Sequence, residues 1–131
     1  MSYAAQGSRY REMEVLAATP PQLVVILYDH LLVNMRRAKM ALSHGDAETR
    51  AALLDKCRAV VSEFLVTLDF ERGGDIAPQL SAIYTFLLAE LLEVGMRRDA
   101  ALLDRLTGIV QELRDGFAGA AMQVAAERQR A

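Results

Sequence analysis

TPPQLVVILYDHLLVNMRRAKMAL, residues 19–42, decides the fold class. Thr19 has the side chain of a helix cap. Pro20 and Pro21 fall where a fixed φ suits the first turn, and Gln22 stands where a capping box places its amide. Behind this start Val24, Tyr28, Leu31, Met35, Ala38 and Leu42 step by four and three, the spacing of one helical stripe. Ser43-His44-Gly45 supplies the stop. The spacing predicts a helix over 20–42.

Three more stripes follow. Asp46 caps a second helix over 47–70, whose stripe is Leu54, Cys57, Val61, Phe64 and Leu68 and whose stop is Gly73-Gly74. Pro78 sits in the first turn of a third helix over 78–96, with Leu80, Tyr84, Leu87, Leu91 and Val94 on its face. That helix closes on Gly95 and the cations Arg97-Arg98, which suit the negative end of the helix dipole. Asp99 opens a fourth helix over 100–117, carrying Leu102, Leu106, Ile109, Leu113 and Phe117. Beyond Gly116 the composition turns to alanine and then to Glu127-Arg128-Gln129-Arg130, and fraying is expected there. The expected fold is all-α: an antiparallel up-and-down four-helix bundle over 19–131, preceded by an N-terminal arm over 1–18.

At 131 residues one domain is the natural count. The net charge of −2 lacks the basic total of a dedicated nucleic-acid binder, so no nucleic acid is expected as a partner. Cys57 is the single cysteine, which rules out an internal disulfide and a cysteine metal cage. The first dozen residues are polar and charged, unlike a secretory signal. The apolar runs around 23–28 and 82–89 are broken by Asp29 and Glu90, short of the roughly 20 residues of a membrane span, so no membrane insertion is expected.

The residues that could carry chemistry do not assemble into a site. A di-iron bundle needs Glu-x-x-His, but Leu27 and Ala41 stand three residues before His30 and His44. Fourteen residues of helix separate the two histidines by about 21 Å, too far to share a metal. Cys57 reads as a buried thiol on an apolar stripe. Asp69, Glu71 and Asp75 around Gly73-Gly74 read as solvated caps, and Arg72-Gly73-Gly74-Asp75 lacks the spacing and lysine of a phosphate loop. Arg36, Arg37 and Lys39 form a basic run that either meets an acidic partner or is a solvated face balanced by Asp46 and Glu48. No catalytic residue, metal site or cofactor is expected. What remains is surplus apolar surface: Leu23, Val25, Ile26, Leu27, Leu32 and Val33 on the first helix, and Ile83, Phe86, Leu88 and Leu92 on the third. A helix apolar nearly all round is covered on more than one side, by a wide core or by a partner. The pattern alone leaves both open.

Tyr10, Val15, Thr19-Pro20-Pro21-Gln22-Leu23 and Leu27-Tyr28-Asp29 resemble, in order and spacing, the start of the flagellin-specific export chaperones, the FliS family. Gly73-Gly74-Asp75-Ile76-Ala77 with Leu80 and Ile83-Tyr84 resembles that family's second signature, and Asp99 with Leu102 through Arg114 its last helix. Two positions depart from it. Tyr84-Thr85-Phe86 stands where members often have tyrosine-acid-tyrosine, and Phe117 where many carry tryptophan. The likeness runs from Tyr10 to Phe117. It implies a bacterial cytoplasmic protein that binds the disordered C-terminal segment of flagellin, prevents premature polymerisation and presents the complex to the flagellar export apparatus. It implies no enzyme activity. The ridges Leu27 with Leu31 and Ile83 with Leu87 are the expected partner groove, together with Tyr28 and Tyr84. The resemblance further implies that the arm, through Tyr10 and Val15, folds over that groove while it is empty. The alternatives are a helical module that self-associates as a homodimer and a regulatory adaptor with a different partner.

Overall fold

The structure, a computed structural model, describes residues 20–130. Tyr10, Val15 and the expected cap Thr19 lie outside the described residues. Four helices follow one another: α1 (Pro20–Ser43), α2 (Ala47–Val66), α3 (Ile76–Arg97) and α4 (Ala100–Arg130). α1 packs against α2 and α4, α2 also against α3, and α3 more lightly against α4. Spatial order thus follows chain order around the bundle, with α1 and α3 on one diagonal. This is the expected all-α antiparallel bundle.

Local chemistry sets the helix ends. The Asp46 carboxylate accepts the Thr49 N–H at 3.1 Å, and this bond holds its carboxyl below the usual range. The Asp99 carboxylate accepts the Leu102 N–H at 2.9 Å. Gly45, at φ +69°, turns the chain out of α1. α3 runs through Gly95 and is closed by Arg98 at φ 53°, whose N–H donates to the Val94 carbonyl. His44 donates through Nδ1 to the Met40 carbonyl at 2.7 Å, so this histidine finishes a helix end.

Three boundaries differ from the sequence expectation. α2 stops at Val66, short of residue 70, because a self-contained turn takes over: the Thr67 hydroxyl donates to the Glu63 carbonyl at 2.8 Å, and the Asp69 carboxylate accepts the N–H groups of Glu71 and Arg72. Gly73 packs under this turn. A Cβ there would lie 2.7 Å from the Asp69 carbonyl oxygen and 2.9 Å from the Ala77 Cβ, so only glycine fits. α3 begins at Ile76, which leaves Pro78 in its first turn as expected. α4 does not end near Phe117 but continues to Arg130. Its last stretch is rich in alanine and free of proline, and its isolated glycines cost only about 1 kcal/mol each, so helix remains the favoured local state.

The core holds Tyr28, Leu31, Met35, Cys57, Val61, Leu87, Leu91, Val94, Leu103, Leu106 and Val110, all essentially without solvent contact. On α4 the buried centre is Leu103, Leu106 and Val110, with Leu102 and Ile109 on its shoulder. Leucine occupies both 102 and 103, and β-branched residues occupy both 109 and 110, so the two phases of the stripe are equally apolar in sequence. α3 is long and apolar enough to cross a membrane by length and composition alone. It is nevertheless a bundle helix, since Tyr84, Leu87, Leu91 and Val94 point into the core. Only 22% of its most apolar stretch is buried, so an apolar face is left uncovered.

Candidate partner-binding surface

One aromatic ring from each helix meets in the core. Tyr28 of α1 stacks on Phe64 of α2 with ring centroids 4.5 Å apart and on Phe117 of α4 at 5.4 Å. Phe64 stacks in turn on Tyr84 of α3 at 5.6 Å. The Tyr28 and Tyr84 hydroxyls share a hydrogen bond of 2.6 Å that joins the two diagonal helices. Tyr28 is fully buried and Tyr84 is 3% exposed. Burial, reinforced by the Tyr84 hydroxyl, pushes the Tyr28 phenol well above its ordinary pKa. Burial also raises Tyr84, against an opposing contribution from the bond to Tyr28.

Both shifts favour the neutral phenol in the folded state. Their contribution is complete below the ordinary tyrosine pKa of about 10 and is lost as pH rises through the folded values. Alkaline titration is therefore expected to release tyrosinate absorbance from Tyr28 and Tyr84 only together with loss of the helical circular dichroism. Ionisation of these two phenols in a bundle that stays helical would show the pair to be open to solvent.

The sequence-predicted residues divide by depth. Tyr28, Leu31, Tyr84 and Leu87 are core residues. Leu27 and Ile83 are half-buried and pack against the core from its edge. The buried members of the two ridges face one another through the interior, because α1 and α3 are diagonal. Cys57 is also interior, and burial pushes its thiol up to about 12, so at neutral pH it is protonated and a poor nucleophile. Among the described residues no three of His, Cys, Asp and Glu converge as metal ligands.

The bundle's seams are unlike one another. Across α1–α4, Arg114 pairs with Asp29 at 2.8 Å, Lys39 with Asp104 at 2.8 Å, and Arg36 donates to the Gln111 side chain at 3.3 Å. Asp29 is the main reason the Arg114 guanidinium sits above its usual pKa. Among the described residues, no side-chain hydrogen bond or ion pair crosses α2–α3. There Leu54, Leu91 and Gly95 lie in a groove with Leu92 and Met96 beside them and Arg50 and Arg58 among its polar residues. Leu92 is 47% exposed and Met96 70%. Phe86 is also 47% exposed and stands about 120° round α3 from Leu92, at the other edge of the helix's solvent face, and Val66, Phe70 and Ile76 expose more apolar surface at the far end of the α2–α3 pair. The Arg58 Nε is buried with no hydrogen-bond partner among the described residues. Sequence reasoning had Phe86 and Leu92 only as surplus on the third helix. The signal was that α3 is apolar on both faces, while one face suffices for the core.

Residues 2–124 match the family described as "Flagellar protein FliS". A flagellar secretion chaperone FliS of Salmonella typhimurium is 30% identical over 107 residues, covering 81% of this chain and 79% of that protein. The flagellar secretion chaperone FliS of Bacillus subtilis is 27% identical over 108 residues, covering 82% and 80%. Among solved structures, one described as a flagellar chaperone from bacteria superposes with a TM-score of 0.75 at 18% identity, covering 93% of this chain and 99% of that one; it supports the fold.

Proposed function

The chain belongs to the FliS family of flagellar secretion chaperones, a non-enzymatic family, and on that premise we propose that it binds the C-terminal segment of flagellin in the bacterial cytoplasm. Bound, that segment is kept from polymerising and is handed to the flagellar export apparatus. The observation that carries this reading is the uncovered apolar face of α3, continuous with the α2–α3 groove. A disordered segment that folds on a scaffold offsets its ordering entropy by burying apolar area over a long surface. Phe86, Leu92 and Met96 offer such a surface, with Leu27 and Ile83 at the core edge as further contacts. Tyr28, Leu31, Tyr84 and Leu87 contribute from beneath, by holding the helices at their spacing. Tyr10 and Val15, on the arm, compete with the partner for the same apolar surface.

Titration of the full chain with a flagellin C-terminal peptide tests this. Saturable binding with a gain of helical circular dichroism is expected. Phe86→Asp and Leu92→Asp are expected to weaken it by about tenfold or more while the bundle stays helical, since each places a carboxylate where an apolar anchor is removed. Peptide binding indifferent to both substitutions would move the site elsewhere. No binding by a folded chain would overturn the reading, and a stable dimer that the peptide does not disturb would favour self-association.

A further inference from the structure

We infer that the groove between α1 and α2, on the flank of α2 away from α3, is a second docking surface that takes an acidic amphipathic segment of another protein. The basic run Arg36, Arg37 and Lys39 is resolved by the fold into two uses. Arg36 reaches Gln111 and Lys39 reaches Asp104, both on α4. Arg37 has no acidic partner among the described residues. It turns to the α1–α2 side and lines a groove with Lys56 of α2, which is likewise without an ion pair among them. Ile26 and the half-exposed Val33 form the apolar strip of this groove, and His30 and Asn34 add polar edges.

The acids nearby are already engaged. Asp29 also lines the groove, but its carboxylate is held by Arg114 at 2.8 Å, and Asp46, whose carboxylate caps α2 through Thr49, does not line it. Two cations therefore stand uncompensated beside a short apolar strip. That is the complement of a helix or strand carrying carboxylates next to aliphatic side chains. A nucleic acid or an anionic bilayer would need a longer basic stripe, and here two free cations are set in a chain of net charge −2. The groove lies on the other flank of α2 from the α2–α3 face, so it leaves the Phe86, Leu92 and Met96 surface free and does not depend on that assignment.

The test uses the full chain and a fluorescein-labelled synthetic helix of about 15 residues. The helix has leucines at every third or fourth position and glutamates beside them; a twin carries glutamine in place of glutamate. Saturable anisotropy change with the glutamate peptide is expected, weakened by added salt and undisturbed by the flagellin peptide. Arg37→Glu/Lys56→Glu is expected to weaken it about tenfold, and Arg37→Gln/Lys56→Gln by less, with circular dichroism unchanged in both. Equal binding of the glutamine twin, or indifference to both double variants, overturns the inference. Tighter binding of an oligonucleotide of the same charge overturns it in favour of nucleic acid. Binding that appears only after Glu12→Lys/Glu14→Lys overturns it in favour of the chain's own N-terminal arm.

Discussion

Phe64→Ala is expected to lower the unfolding free energy by about 3–5 kcal/mol, the usual cost of deleting a buried ring and leaving its cavity. Phe64 is an inner ring of the stack, between Tyr28 at 4.5 Å and Tyr84 at 5.6 Å, so its loss removes contacts to α1 and α3 at once. Against a total stability of about 5–15 kcal/mol this is a large fraction, and a fall in Tm of roughly 10–20 °C should follow. Tyr28→Phe makes the comparison sharper. It keeps the stack but strips the Tyr84 hydroxyl of its partner, and should cost only about 1–3 kcal/mol. Thermal unfolding followed by circular dichroism reads both. A Phe64→Ala protein as stable as the parent would mean that the helices are held by their outer contacts and not by the ring cluster.

Leu31→Asp and Leu87→Asp are expected to abolish the folded state. Both positions are fully buried, and nothing basic lies among the core residues to pair with the new carboxylate. An uncompensated charge there costs several kcal/mol on top of the lost packing, comparable to the whole stability of the domain. Leu27→Asp and Ile83→Asp, at half-buried positions, should leave a helical protein with a lowered Tm and weakened flagellin-peptide binding. Circular dichroism with peptide titration on the four variants separates depth from contact. A folded, binding Leu31→Asp protein would place that residue at the surface and contradict the packing of α1 described above.

The helices and their order were legible in the sequence because each carries one apolar stripe and a cap or stop whose chemistry is local: Asp46, Asp99 and Gly45 act within a few residues of themselves. The end of α2 was not legible, since the turn that replaces it depends on Asp69 accepting two N–H groups and on Gly73 fitting beneath Ala77. The phase of α4 was hidden by the apolar pairs at 102–103 and 109–110. The site was read in part. The surplus on the third helix was visible in composition, but which residues of a doubly apolar helix look inward is decided by where its neighbours lie. The diagonal of α1 and α3 put Tyr28, Leu31, Tyr84 and Leu87 in the interior and left Phe86, Leu92 and Met96 outside. The basic run was equally ambiguous until α4 supplied Asp104 and Gln111 on one side and nothing on the other.

The unlike seams give the bundle two kinds of thermodynamic response. Where α1 and α4 are tied by ion pairs, that part of their cohesion is screened by salt. Along α2–α3, where no such ties cross among the described residues, a ligand covering the exposed apolar face exchanges hydrated hydrocarbon for hydrocarbon contact. Its association then carries a negative heat-capacity change and depends less on ionic strength than the α1–α4 ties do. Calorimetry over a range of temperatures should then show the enthalpy of association growing more favourable on warming, with every helix of the chaperone still in place.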